Sequence, residues 1–543
     1  MKTKLRKLLK YNINSLGVSL FVSAVASSPV LAVEIDLGDP DWVARFDNTI
    51  RYNLQTRVEG RDHRISGNPN YDEGDYKFDK GDITSNRLDI LSELEVGWRR
   101  THGFRVSAAG WVDQAYSDTD VERNPSLANL PSSYNNNSYS GTTKRFYRGP
   151  SGEILDAFVY GNFEIGTMPL SMKAGQHVVY WGNSIFTQSG IAYSQSPVDG
   201  RKGAANPGTE VRELFLPLNQ ISATLQANES LSFAAQYFLD WDHVRSPEGG
   251  TYLGGTDFTL DGPDRTGGGL PFVRGDAKEP DSKSGNWGVK ADYNFANWNA
   301  TTLSLYYREF DEKNGLWLLR NPENPLQYRA VFPEKTKLYG LSVDTTIGAF
   351  AVGAEFAYRK NAGLNTVGFS LSDEGARGDT YHVVLNTIYG LPQTAIWDSG
   401  TLSAELTYDH LIDVTKNESL YNGENTVNCP LGKYSGCATD NAFGLGLRFA
   451  PQWTQVLPGV DLTIPVTLQT GLKGNTADFG GTNQGAATYS LGGELNIRGN
   501  WVVSLVYADS TAKIMRSGAT YVGNGPWQTT DRGRIGLTVK TSF

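Results

Sequence analysis

The chain has 543 residues, with 49 Lys+Arg against 58 Asp+Glu and a net charge of −9; it carries 60 Gly, 27 Tyr and 12 Trp but only two Cys. That acidic balance argues against nucleic acid as a partner, because phosphate binding needs a basic face. No later segment reaches eighteen consecutive apolar residues, which excludes a helical membrane span, and no linker or composition break divides the chain.

Residues 1–10 hold five basic residues (Lys2, Lys4, Arg6, Lys7, Lys10) and no acid. An apolar stretch follows from about Leu16 to Ala26, then Ser-Pro-Val-Leu-Ala ending at Ala32. Basic region, short apolar region and small terminal residue predict a secretory signal over 1–32; the apolar run is too short for a membrane anchor. Without those five basics the balance is 44 against 58, about −14.

From residue 33 onward the dominant pattern is alternation with a period of two. Leu88, Ile90, Leu94, Val96 and Trp98 interleave with Asp89, Glu93, Glu95 and Arg99; Phe350, Val352, Ala354, Phe356 and Tyr358 with Glu355 and Arg359; Ile535, Leu537 and Val539 with Arg534, Thr538 and Lys540. About eighteen such segments fall near 42–59, 87–100, 103–116, 154–166, 168–182, 219–227, 230–241, 284–296, 299–311, 336–348, 350–361, 378–390, 399–412, 440–453, 458–473, 484–497, 500–511 and 531–543. Many begin or end on Trp, Tyr or Phe, where an interfacial girdle would sit.

The connections alternate strictly between long polar stretches and tight turns, which a soluble sandwich has no reason to do. A transmembrane barrel does, with short periplasmic turns and long external loops. A bilayer offers no water to strand edges, so the sheet must close on an even count. The predicted fold is therefore all-β: one antiparallel up-and-down transmembrane barrel over 33–543, with eighteen strands and sixteen as the alternative. A secreted solenoid or multi-domain sandwich is the competitor, but no 20–50-residue repeat supports a solenoid.

The third long connection, 183–218, differs from the others. It carries Ile185, Phe186, Ile191, Tyr193, Leu214, Phe215 and Leu216 beside Asp199, Arg201, Lys202, Glu210, Arg212 and Glu213. Apolar residues gain nothing in a loop that projects into water. The expected arrangement is a segment folded into the lumen, presenting those six charged residues at a constriction that selects solutes; the alternative is an external lid. Charges on the inward strand faces, among them Glu93, Arg99, Glu355, Arg359, Glu405 and Lys540, suit a wet lumen.

Cys429 and Cys437, eight apart in one long loop, read as a disulfide pinning that loop. The acidic run Asp72, Glu73, Asp75, Asp79 and Asp82 does not match the calcium-loop spacing and reads as a solvated acidic loop or a local structural turn. No metal or cofactor is expected. The six histidines fall in no catalytic motif, so no enzymatic activity is expected.

The stretches FDKGDITSNRLDILSELEVGW (78–98), LDAFVYGNFEIG (155–166), LSMKAGQHVVYWGNSIF (170–186), SPVDGRKGAANPGTEVRELFLPLNQISATL (196–225) and WVARFDNTIRYNLQTRVEGRD (42–62) resemble the proteobacterial outer-membrane family known as domain of unknown function family 1302. The resemblance implies a porin-like channel in the outer membrane of a Gram-negative bacterium. It further implies passage of hydrophobic or amphipathic compounds, with an RND-type exporter and a periplasmic carrier as partners. A general porin for hydrophilic solutes is the runner-up, and a barrel hydrolase or a purely structural barrel stand behind it. The last strand ends on Phe543, which resembles the signal read by the machinery that inserts barrels into outer-membrane lipid.

Overall fold

The computed structural model describes residues 33–187, 189–205, 214–268 and 271–543; the predicted signal segment 1–32 lies outside them. Eighteen strands make the wall. β1 (Trp42–Arg57), β2 (Ile83–Trp98), β3 (His102–Asp113), β4 (Ser151–Ile165), β5 (Met168–His177) and β6 (Leu218–Gln226) form its first third. β7 (Leu231–Phe238), β8 (Trp287–Phe295), β9 (Thr301–Phe310), β10 (Thr336–Ile347), β11 (Phe350–Gly363) and β12 (Arg377–Gly390) follow. β13 (Ser399–Lys416), β14 (Asn441–Leu457), β15 (Val460–Thr463, resuming as Val466–Lys473), β16 (Ala487–Ile497), β17 (Trp501–Thr511) and β18 (Arg534–Ser542) complete it. The break in β15 falls at Pro465, which has no N–H to give the ladder.

Each strand pairs antiparallel with its neighbour, and β1 pairs with β18 from Thr49↔Ser542 to Arg57↔Arg534, so the sheet closes. Beyond β18, Phe543 exchanges both main-chain hydrogen bonds with Asn48, at 2.7 and 2.9 Å. A short strand, Val33–Ile35, then covers Ala44–Phe46 on the same edge of β1. Connections at one end are short (99–101, 166–167, 348–349, 458–459) and at the other long (58–82, 114–150, 178–217, 239–286).

Alternation sorts the side chains. Leu305, Leu385, Leu491 and Leu505 point outward and are 48–56 % exposed, while Glu355, Arg359 and Glu405 on the inner face are buried. Above this apolar belt Trp287, Tyr307, Tyr339 and Tyr358 of β8 to β11 form a run of ring contacts at 5.1, 5.1 and 6.0 Å. At the short-turn end Phe350 stacks on Tyr389 at 4.4 Å. An apolar belt between aromatic girdles is what hydrocarbon between two interfaces requires. No helix among the described residues is long and apolar enough to cross a membrane.

Two sequence expectations need correction. Arg99 does not face the lumen: it occupies the tight β2–β3 turn at φ +50° and bonds Asp41 at 2.8 Å. Asp72, Glu73 and Asp75 are buried rather than solvated. Their partners arrive from afar: Arg57 bonds Asp75 at 2.7 Å, Asn124 N–H donates to Asp72 at 2.8 Å, and Ser133 N–H to Glu73 at 2.9 Å. Over them the loops pack Phe78, Tyr116, Tyr134, Tyr139 and Tyr252 into a cap. Cys429 and Cys437 are joined, with Cα atoms 6.0 Å apart, within the β13–β14 loop.

Candidate functional site

The wall ends early at β5. The alternation suggested a strand to residue 182, but the strand stops at His177, and Val178 to Trp181 turn inward. Trp181, Ile191 and Tyr193 then join Tyr306, Phe310, Leu338 and Ala357 of β9 to β11 in one buried cluster. The inward segment therefore begins five residues before the predicted boundary of 183–218, because these apolar residues satisfy an inward loop as well as they would a wall.

Main-chain groups of this loop are held by the far wall. Glu405 of β13 accepts from the N–H groups of Phe186 and Thr187 at 3.3 and 2.9 Å, and from Ile185 N–H. Glu355 of β11 accepts from Ile191 N–H at 2.8 Å and from Asn183 N–H. Arg308 of β9 donates to the carbonyls of Ile191 and Tyr193 at 3.0 and 2.7 Å. The Phe186 ring lies on Gly446 of β14, where a Cβ would come within 2.6 Å of it. β13 and β14 stand opposite β5 and β6 in the ring of eighteen, so the segment crosses the lumen. A second inward loop, 474–486, is tied by Asp478 to Arg359 at 2.6 Å and to His382 at 3.1 Å, with His382 also 2.7 Å from Asp409.

What remains open beside the crossing is a cavity of ≈ 210 Å³ against β1, β2 and β3. Asp199, Arg201 and Lys202 form its loop side; Glu210, Arg212 and Glu213 lie outside the described residues. The acids around it are committed. Asp199 pairs with Arg201 at 2.9 Å, Asp89 with Arg87 at 2.8 Å, and Glu153 with Arg245 at 2.6 Å. Asp113 accepts from the N–H groups of Asn86 and Ala115, both at 2.9 Å. Arg51 and Lys202, by contrast, have no ion pair among the described residues and border the same cavity. One wall is aromatic: Trp111 stacks on Phe146 at 6.2 Å, and the Arg201 guanidinium sits 3.9 Å from the Phe146 ring centre.

A second cavity, ≈ 370 Å³, lies at the root of the loop and is lined by Tyr160, Lys173, His177, Trp181, Ser222 and Thr224. There His177 Nε2 is 2.8 Å from Ser222 Oγ, and its other ring nitrogen meets the Gly175 carbonyl at 3.0 Å rather than a carboxylate. The pair faces the lumen, not the lipid-facing rim that a barrel hydrolase would use.

Arg51, Arg87 and Arg308 went unnoticed in the sequence. Each sits on the inner face of its strand by simple alternation, which is the signal that could have found them.

A closed eighteen-stranded barrel with an apolar outer belt and a lumen crossed by its own third long loop is the architecture of a membrane-spanning β-barrel. The chain belongs to the family described as Protein of unknown function (DUF1302), which matches residues 14–543. A comparison with curated proteins finds no match. Among solved structures it is similar to Pseudomonas aeruginosa OpdK with vanillate, at 12% identity and a TM-score of 0.41 over 92% of this chain and 98% of that one. Acinetobacter baumannii OccAB2 is similar at 11% identity and a TM-score of 0.43, over 92% and 98%. Pseudomonas aeruginosa OccD3 (OpdP) gives 12% and 0.39, over 96% of each chain.

Proposed function

We propose that the protein is a passive channel of the Gram-negative outer membrane for small amphipathic compounds, those with an apolar body and an anionic end. One observation carries the substrate class. Arg51 and Lys202 border the ≈ 210 Å³ cavity without ion pairs among the described residues, beside the Trp111–Phe146 wall. A lining charge attracts and orients its counter-ion in a narrow lumen, and an aromatic face accepts an apolar body. The inward loop narrows the path, and an RND-type exporter with a periplasmic carrier would set direction; crosslinking and co-purification from cells tests those partners.

The decisive experiment is a planar-bilayer comparison of 1-naphthoate with glucose. The expected result is concentration-dependent interruption of the KCl current by naphthoate, weakened about tenfold in Arg51→Glu/Lys202→Glu. Equal indifference to both solutes would return the protein to a general hydrophilic porin, and a wild-type barrel with no conductance would end the channel reading.

A further inference from the structure

Beside β4 the barrel wall lacks a partner strand over part of its height. β4 stays paired with β3 up to Trp111↔Ser151, but its ladder with β5 stops at Ala157↔Gln176. Residues 151–156 therefore have no strand on their β5 side among the described residues. Two irregularities fall at the same height. The β3–β4 register shifts between Val106 and Ala108, and Asp156 N–H turns to the Ser107 hydroxyl at 2.9 Å. Gly175 of β5 holds φ +122°, where a Cβ would lie 2.4 Å from the Ala157 carbonyl oxygen. Among the described residues only side chains reach the exposed edge: Gln176 donates to the Ile154 carbonyl at 3.3 Å and Arg145 to that of Gly152 at 3.4 Å.

A gap of this kind is costly, since main-chain groups facing lipid need partners and barrels exist to remove edges. Bulges are a recurring means of ending pairing beside functional sites. The gap is also connected. A groove of ≈ 240 Å³ runs from Ile154, Gln176 and Asn219 on the outside to Glu153 and Arg245 at its inner end. Glu153 lines the ≈ 210 Å³ lumen cavity as well. The Glu153–Arg245 pair, 2.6 Å, stands between the two spaces. Arg245 is held there by its own N–H, which bonds the Val198 carbonyl of the constriction loop at 2.9 Å. Outside, Ile154 is 59 % exposed and continues the outward apolar face of Val159.

We infer that the gap between β4 and β6 is a lateral portal through which an amphipathic compound passes between the lumen cavity and the outer leaflet, with Glu153–Arg245 as its latch. This rests on the channel reading above. It gives the compound a route that keeps its apolar body out of water while its charged end follows the polar groove.

The probe is 8-anilinonaphthalene-1-sulfonate, an aromatic anion whose fluorescence rises on entering the envelope, added to intact cells making the protein. KCl conductance of the same variants in planar bilayers reports the axial path. Filling the groove with Gln176→Trp, or with Asn219→Trp should the first fail to fold, is expected to slow probe entry at least about fivefold with conductance changed by less than about a fifth. Arg245→Ala is expected to speed entry about threefold. Wild-type entry rates in both Trp variants, or losses of entry and conductance in proportion, overturn the portal while leaving the channel intact. A wild-type protein that neither conducts nor admits the probe refutes the channel reading and the portal with it.

Discussion

The carboxylate of Glu405 on β13 accepts both the main-chain N–H and the hydroxyl of Thr187, each at 2.9 Å, although the residues stand 218 positions apart. Through this contact a strand on one wall fixes a loop rooted in the opposite wall. Glu355 does the same for Asn183 and Ile191 two strands away. Removing one carboxylate leaves buried N–H groups without acceptors, at about 1–3 kcal/mol for each group. Glu405→Ala should therefore loosen the crossing and raise single-channel conductance by roughly half or more, while the barrel keeps its heat-modifiable mobility in gels. Glu405→Gln, which keeps one acceptor oxygen, should fall between. Conductance equal to wild type in both Glu405→Ala and Glu355→Ala would mean that the crossing does not limit the current.

The loop cap should tighten in acid. Burial pushes Glu248 up to about 7, against the Gly262 N–H that bonds it. Burial and the nearby Glu73 carboxylate likewise hold Asp257 well above the usual carboxylate range. Both groups sit in the cap, where Asp257 accepts from the N–H groups of Glu73 and Gly74 at 3.0 Å each. A raised folded-state value means that the folded cap binds more protons than the open one. The stabilisation is then present at low pH and is lost as pH rises from about 4.5 through about 7. Hydrogen exchange in 114–150 and 239–268, corrected for intrinsic rate, should show greater protection at pH 5.5 than at pH 8. Glu248→Gln should reduce the difference, and equal protection at both values would refute it.

The wall was legible because its physics is local. A strand with lipid on one side and water on the other must alternate, and Ile535 and Arg534 declare their faces without knowledge of any partner. The crossing was legible only as an anomaly of composition. Val179 and Trp181 are apolar because they pack on Tyr306 and Leu338 of β9 and β10, and Val178 and Tyr180 because they pack on the loop's own Val198 and Phe215, so local pattern extended β5 by five residues. Glu355 and Glu405 could be seen as inward charges, but their partners are main-chain N–H groups, which any sequence supplies everywhere. Asp75 looked solvated because its partner Arg57 sits in another element and its neighbour Asp531 is near the far end of the chain. The open edge at Ser151–Asp156 had no sequence signature at all. Alternation predicts where a strand lies, not whether its neighbour reaches as far.

Adjacent residues on β17 offer a direct test of which side meets lipid. Leu505 is 55 % exposed and pairs with Leu537 of β18 on the outer face; Ser504 pairs with Thr538 and Glu494 on the inner face. An arginine facing hydrocarbon near mid-membrane costs about 2–4 kcal/mol in a barrel wall, while one in a wet lumen costs little. Leu505→Arg should therefore lower the folded fraction on refolding into vesicles and shift the denaturant midpoint downward. Ser504→Arg should refold like wild type and, if it changes anything, change ion selectivity, because its guanidinium lies beside Glu494. A soluble barrel would respond in the opposite sense, tolerating the outward charge in water and failing with the inward one in a packed core. Comparable losses in both variants would place neither face against lipid, and the membrane-spanning reading would fall with that result.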